Sequence, residues 1–174
     1  ISMFCIFLLA LTHVYPAQSA TMKDSLLQVL NTVPANKSRL EVLYALTYQD
    51  PMSPSSLEYI ARLLKEATTQ DDKEYQCLAM YAYIVYYFNH QDGKNTKLWM
   101  DKLEKIALKY KYYNYYFPAK RADILTHVLE HKIEYSITQS EEMFRFATET
   151  NNLKGMRYAK LCMMTAYLVS ARYK

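Results

Sequence analysis

Leu63-Leu64-Lys65-Glu66-Ala67 is followed forty residues later by Leu103-Glu104-Lys105-Ile106-Ala107, and after another forty by Met143-Phe144-Arg145-Phe146-Ala147. In each segment a large apolar residue stands four positions before an alanine, which places both on one face of an α-helix. Further rows with the same forty-residue step are Ala79, Ala119 and Ala159, then Ala82, Ala122 and Cys162. Small residues inside helical patterns predict helices that cross closely, and a period of ~20–50 residues is typical of stacked helical hairpins.

The composition supports a single all-α domain. The chain has 174 residues, of which 51% are hydrophobic and 22% are charged, enough for one continuous core. Two glycines and five prolines are too few for a protein of strands and turns. The net charge of +4 is small and dispersed, which argues against nucleic acid as a partner.

The apolar periodicity predicts a short cap hairpin and three regular hairpins. The cap comprises Asp24–Thr32 and Ser38–Gln49. Pro118 is expected in the first turn of its helix or at a kink. The regular hairpins are predicted from the helices Leu57–Thr68, Lys73–Asn89, Thr96–Tyr110, Tyr116–Ile133, Thr138–Thr150 and Lys154–Arg172.

The first twenty residues are typical of a signal peptide. An apolar run, Met3–Leu11, precedes small residues that suit cleavage after Ser19 or after Ala20. The run is shorter than the ~20 apolar residues that span a bilayer. Because the chain opens on Ile1 without a basic segment, we expect a signal peptide truncated at its front.

This division gives three segments: a signal peptide at 1–20, a cap hairpin and linker at 21–54, and helical repeats at 55–174. The last helix has no polar closing unit, so we expect the array to be truncated at its C-terminus. Cys77 and Cys162 lie two repeats apart, beyond the ~7 Å limit between disulfide-bonded Cα atoms. We therefore expect two free, buried thiols.

The alanine pair twelve residues apart, with a large apolar residue four positions earlier, resembles the tetratricopeptide repeat (TPR) family. The matches are Ala67 with Ala79, Ala107 with Ala119, and Ala147 with Ala159. Asp123 departs from the family's pattern, and the forty-residue unit is longer than the family's. The resemblance implies a right-handed α-solenoid of antiparallel hairpins that binds a protein or peptide in a concave groove.

In that family the first helix of each unit lines the groove. In this chain the groove-lining residues form a mixed acidic and apolar strip, which would bind an extended peptide or helix that carries one or two basic residues. The alternative is that these are solvated residues of exposed helix faces. Projected onto this chain, the groove residues are Asp101, Glu104, Leu108, Lys111, Glu141, Phe144, Thr148 and Asn151.

A signal peptide followed by helical hairpins also resembles the periplasmic sensor region of Bacteroidetes-type TPR-containing regulators and sensor histidine kinases. The resemblance implies an exported, periplasmic input region for signal transduction, attached to the membrane through a segment absent from this chain. An alternative is a glycan-binding outer-membrane protein of the SusD-like kind, which also contains TPR-type helices.

His127-Val128-Leu129-Glu130-His131 fits the H-x-x-E-H pattern of inverted zinc proteases. On a continuous helix both imidazoles would share one face, with Glu130 as general base. An exposed helix end is the preferred interpretation, and a zinc hydrolase stays a third alternative. Gly93 and Gly155 alone cannot form a glycine-rich phosphate loop, and the sequence suggests no Ser-His-Asp or Cys-His arrangement. We therefore expect no enzyme, no cofactor and no metal. A third zinc ligand would have to come from Glu134, Glu141, Glu142 or Glu149.

Two tyrosine-rich segments, at 81–88 and 110–117, could stack on sugars or bases. Their aromatic residues occupy all sides of a helix, however, which favours packing in the core. Within the second segment, Tyr112–Tyr115 is expected to be partly exposed and to offer a ligand-facing aromatic ring. Trp99 is expected to pack within a hairpin or over a seam between helices.

Overall fold

A computed structural model describes residues 22–172 of the chain, and the predicted signal peptide lies outside these residues. The described part is helical throughout, without a β-strand. Its first helix, α1, covers residues 22–32. The others are α2 (Lys37–Thr47), α3 (Pro54–Thr69), α4 (Lys73–Asn89), α5 (Gly93–Tyr110), α6 (Tyr113–Leu129), α7 (Ile133–Glu149) and α8 (Leu153–Arg172). The predicted all-α class is confirmed.

Turns of two or three residues with one recurring geometry join the helices from α3 to α8. The second-to-last residue of each turn has a left-handed backbone with φ between 50° and 59°. The N–H of the last residue bonds the carbonyl five residues earlier, as from Asp72 to Ala67 at 2.9 Å and from Asn152 to Ala147 at 2.7 Å. This is the Schellman ending of a helix. The left-handed residues are Asp71, Gln91, Lys111, His131 and Asn151, one every twenty residues.

The buried alanines confirm the predicted close crossings. Ala67, Ala107 and Ala147 have no exposed surface, and neither do Ala79, Ala119 and Ala159. The crossing of α6, α7 and α8 is tight enough that a Cβ at Gly155 would lie 2.8 Å from the Phe117 ring and 2.9 Å from the Ala147 Cβ. The forty-residue period is therefore the spacing of small residues at helix crossings.

The packing order distinguishes the even-numbered helices from the odd-numbered ones. From α2 to α8 each helix packs on its neighbours in sequence, and α2, α4, α6 and α8 also contact one another in turn. Within the described residues, α3, α5 and α7 make no such contact with each other. The even-numbered helices therefore form a continuous surface, which we name the even-helix row.

The predicted helix starts were right for α4 and within one residue for α2 and α8, but they were three residues late for α3 and α5. Lys73–Asn89 is reproduced by α4, but Tyr116–Ile133 was wrong, because α6 runs from Tyr113 to Leu129 and Ile133 already begins α7. Pro118 lies inside α6 rather than in its first turn.

Two side-chain predictions are confirmed. Trp99 stacks on Tyr83 at 3.9 Å between ring centroids, across the seam between α4 and α5. Cys77 and Cys162 are free and buried. Burial raises the pKa of the Cys77 thiol to about 12 and that of Cys162 to about 11, so both thiols are protonated near neutral pH. Within residues 22–172, no helix combines the length and the apolar composition needed to cross a membrane.

Candidate functional site

The even-helix row contains an open cleft of about 320 Å³ where α2, α4 and α6 meet. The helix α2 contributes side chains at i, i+4 and i+7, so they share one face. The first two turns of α4 and the first turn of α6 contribute the rest. We name this site the tyrosine cleft, and its lining residues are Lys37, Glu41, Tyr44, Glu74, Tyr75, Leu78 and Tyr115.

Hydrogen bonds fix two of the phenols that line the cleft. Tyr115 donates its hydroxyl proton to Oε1 of Glu74 at 3.0 Å, which ties α6 to α4. Burial and then this hydrogen bond raise the pKa of Tyr115, so the phenol stays neutral. Tyr44 donates to the Tyr48 hydroxyl at 2.9 Å, and the two rings meet edge to face at 4.8 Å.

The charges in the tyrosine cleft favour a cationic ligand group. Glu41 and Glu74 place two carboxylates beside it, against one ammonium group from Lys37. The Lys37 Nζ lies 5.8 Å from the centre of the Tyr75 ring, so a cation of the chain itself already lies over this ring. Phenol faces backed by carboxylates suit a lysine or arginine side chain, whereas the hydroxyls can accept hydrogen bonds from its N–H groups.

Aromatic and basic side chains continue along the row toward α8. Tyr81 on α4 is half-buried, and burial followed by the nearby phenols of Tyr158 and Tyr44 raises its pKa. The Arg121 guanidinium lies 5.5 Å from the ring centre of Tyr158, and the Lys154 ammonium lies 5.8 Å from it. The lining of the cleft therefore carries two carboxylates and one ammonium group, whereas the part of the row around Tyr158 is basic.

The sequence anticipated one residue of the cleft and missed the others. Of Tyr112–Tyr115, the structure places Tyr115 in the cleft, while Tyr113 packs on Phe146 with the ring centroids 5.6 Å apart. The contributions of α2 were missed because the cap hairpin does not follow the forty-residue register. A signal was present in Lys37, Glu41 and Tyr44, which follow helical spacing on a polar face.

The α5 half of the groove prediction lies outside the cleft. Asp101 is exposed and pairs with Lys97 of the same helix. Glu104 accepts a hydrogen bond from the Tyr116 hydroxyl at 3.3 Å, which links α5 to α6. Leu108 is exposed, and Lys111 is the left-handed residue of the following turn.

The predicted groove residues on and after α7 also lie outside the tyrosine cleft. Glu141 and Thr148 are exposed, Asn151 is a turn residue, and Phe144 is half-buried with the Lys160 ammonium 5.3 Å from its ring centre. Because α5 and α7 do not pack on each other, the structure does not bring the two halves into one pocket. A peptide that spans both helices stays a prediction.

The H-x-x-E-H string does not form the geometry predicted for a zinc protease. The helix α6 ends at Leu129, and His131 has φ 59°, so the prediction that both imidazoles lie on one helical face was wrong. Lys132 and then His127 hydrogen-bond Glu130 and lower its pKa, which holds it as a carboxylate. In the described part of the chain, no three His, Cys, Asp or Glu side chains come together as a possible metal site.

Asp123, where the sequence departs from the TPR pattern, forms a buried polar group with its neighbours on α6. Its carboxylate lies 3.8 Å from Lys120 Nζ and 3.9 Å from His127 Nε2, and Oδ2 accepts no hydrogen bond. Lys120 instead donates to Gln139 of α7 at 2.7 Å. The group therefore joins α6 to α7 and faces away from the tyrosine cleft.

No protein-family model, curated protein or solved structure matches this chain. The helices, packed in consecutive contacts, are compatible with a helical repeat, and the functional argument rests on the residues of the cleft.

Proposed function

We propose that this chain is a non-enzymatic helical-repeat module that binds a protein or an extended peptide along the even-helix row. The tyrosine cleft would hold a lysine or arginine side chain of the ligand. The observation that carries the proposal is the convergence of Tyr44, Tyr75 and Tyr115 with Glu41 and Glu74 around an open volume of about 320 Å³.

The surroundings of the cleft support a peptide as the ligand. Tyrosine offers a large, rigid ring and a hydroxyl at low cost in conformational entropy, which explains its frequency at binding surfaces. The row continues from the cleft past Tyr81 to Arg121 and Tyr158, so a ligand anchored at α4 has further partners toward α8. The two carboxylates of the cleft and the basic groups around Tyr158 would favour one direction of the bound chain.

The proposals on the type of solenoid, on export and on a role in signalling rest on the sequence. The alanine rows favour a right-handed solenoid of TPR type, in which a docked partner would alter the curvature of the stack. The apolar run Met3–Leu11 favours export to the periplasm and a role as the input region of a longer membrane-spanning regulator.

A second candidate is glycan binding, as in the SusD-like alternative. It is favoured by the same three phenols, because exposed aromatic rings stack on sugar rings and hydroxyls satisfy sugar hydroxyls. The two candidates differ in the role of Glu41 and Glu74. A cationic peptide needs the negative charge of these carboxylates, whereas a neutral sugar does not.

The test is selection of a displayed random peptide library on the wild-type chain. Peptides enriched in lysine or arginine are expected, with affinity at least tenfold weaker for a Glu41→Gln/Glu74→Gln variant. Glu58→Gln, on the exposed surface of α3, is the matched control and should leave binding unchanged. Selection without basic enrichment would contradict the peptide proposal. Binding of neutral oligosaccharides that is lost in Tyr75→Ala but kept in the double glutamine variant would support the glycan candidate.

A further inference from the structure

Arg121 of α6 lies on the even-helix row without an acidic partner. Its guanidinium lies 5.5 Å from the centre of the Tyr158 ring, which places the two side chains where α6 and α8 pack together. Burial raises the pKa of Tyr81 and of Cys162, and the nearby charge of Arg121 partly offsets this effect at both residues. Within the described residues, the exposed side chain of Arg121 forms no ion pair and no hydrogen bond. Its N–H donors are therefore free for a ligand.

Two phenols lie close to this guanidinium. Tyr81 and Tyr158 are half-buried, and each keeps part of its surface in contact with water. Burial and then the phenol of Tyr158 raise the pKa of Tyr81, so its hydroxyl stays protonated and can donate a hydrogen bond. In the part of the chain that the structure describes, neither hydroxyl forms a hydrogen bond. Side chains from α4, α6 and α8 thus bring together N–H and O–H donors that no described carboxylate accepts.

The helices around this guanidinium carry few acidic residues. The helix α8 carries none. Those of α4 and α6 are Glu74, which is hydrogen-bonded to Tyr115, and Asp123, which is buried and faces α7. Lys154 adds a second positive charge, with its ammonium group 5.8 Å from the ring centre of Tyr158. An anionic group at this place would therefore meet two positive charges and no free carboxylate of these helices.

The position of these donors relates them to the tyrosine cleft. Tyr158 lies on the side of α8 that faces α6, because its ring is in contact with Arg121, so described helices form the group on each side. Tyr81 connects it to the cleft, since burial and then the phenols of Tyr158 and Tyr44 raise its pKa. Arg121 follows Tyr115 of the cleft by six residues on α6, about 9 Å along the helix axis. An extended peptide covers this distance with roughly three residues.

We propose that Arg121, Tyr81 and Tyr158 form a carboxylate subsite for the peptide whose basic side chain lies in the tyrosine cleft. The guanidinium presents parallel N–H donors that match the two oxygens of a carboxylate, and the phenols donate to the same oxygens. The carboxylate belongs to an aspartate or glutamate side chain, or to the C-terminus of the peptide, three or four residues from the basic residue. This inference rests on the proposed function, because the basic side chain anchors the peptide.

The test is selection of displayed random peptides on the wild type and on Arg121→Gln, with the C-terminus of the peptides blocked in one library and free in the other. On the wild type we expect a carboxylate three or four residues from a lysine or arginine. In the first library it belongs to an aspartate or glutamate, and in the second it can also be the C-terminal carboxylate. Arg121→Gln should keep the preference for a basic residue and lose the preference for a carboxylate.

Arg145→Gln is the matched control, because Arg145 is an exposed arginine of α7, outside the even-helix row. It should retain both preferences. A wild type without a carboxylate preference in either library, or an Arg121→Gln variant that keeps this preference, would overturn the carboxylate subsite. A wild type that shows no preference for a basic residue would instead contradict the proposed function, so the two failures can be told apart.

Affinity measurements on one selected peptide give the size of the effect. Binding of the labelled peptide is measured by fluorescence anisotropy. Removal of its carboxylate, by an amide side chain or by C-terminal amidation, should weaken binding to the wild type at least fivefold and leave binding to Arg121→Gln nearly unchanged. Arg121→Lys should recover only part of the difference, because an ammonium group lacks the parallel donors. Equal losses for the wild type and Arg121→Gln would show that the carboxylate binds elsewhere, which would also overturn the proposal.

Discussion

The five turns between α3 and α8 share one backbone geometry but not one chemistry. The turns before α4, α5 and α8 end in Asp72, Asp92 and Asn152, whose side chains accept the N–H three residues ahead at 3.0, 3.0 and 2.7 Å. The same position before α6 and α7 is Tyr112 or Lys132, with no side-chain cap. A Schellman ending therefore suffices to set the path of the chain, and the cap adds stability to a turn that forms without it.

The largest change in the free energy of unfolding is expected for a substitution at Gly155, where the turn that ends at Asn152 leads directly into a helix crossing. Gly155→Val should reduce the free energy of unfolding by about 2–3 kcal/mol, because its side chain would collide with Phe117 and Ala147. Urea denaturation monitored by circular dichroism measures the change. The adjacent exposed Lys154→Val is the control. Equal losses in the two variants would show that β-branching in the first turn, rather than the crossing, sets the cost.

Removal of a cap tests the comparison directly. Asp92→Ala should cost about 1–2 kcal/mol, since the N–H of Asn95 loses its acceptor. Lys132→Ala, at the equivalent position of an uncapped turn, should change the free energy of unfolding by less than about 0.5 kcal/mol. The same denaturation experiment applies to both variants. A similar cost at the two positions would contradict the distinction between capped and uncapped turns.

The polar caps explain only part of how far the sequence predicts the fold. The alanine rows predicted the helix crossings, and Asp72 marked the start of α4 correctly. The starts of α6 and α7, which have no polar cap, were predicted three and five residues late, at Tyr116 and Thr138. The start of α5 was also predicted three residues late, at Thr96, although Asp92 caps this helix. The turns before α6 and α7 place lysine and histidine in the left-handed region, where sequence patterns suggest glycine or asparagine.

The candidate site was less predictable than the fold, for a physical reason. The tyrosine cleft combines residues of three helices, so its shape depends on which helices contact each other. The periodicity predicts helices but does not give their order of contact, and the resemblance to TPR proteins pointed to the first helix of each unit. The partial exposure of Tyr115 was predicted, as part of Tyr112–Tyr115, because this range lies next to a turn.

Glycine at the left-handed position of an uncapped turn should stabilise the protein. Lys111 has φ 59°, a conformation that costs a residue with a Cβ more than it costs glycine. Lys111→Gly should therefore raise the free energy of unfolding by about 0.5–1 kcal/mol. Lys109→Gly, two residues earlier in α5, should lower it by about 1 kcal/mol, since glycine is unfavourable within a helix. If both variants were destabilised, the left-handed residue would not be a source of strain.

The smallest effect is the pH dependence of a charged cap. The backbone N–H of Asn95 and then its side chain lower the pKa of Asp92. A carboxyl group whose pKa is lower in the folded protein stabilises it above the unfolded pKa of about 4, and this contribution is lost as the pH falls through the folded pKa. The wild type should therefore lose slightly more stability than Asp92→Asn between pH 6 and pH 3, because a neutral amide caps the helix equally at both. Thermal unfolding at a series of pH values measures the difference, and parallel curves would mean that the Asp92 cap acts through its geometry alone, as the cap at Asn152 does.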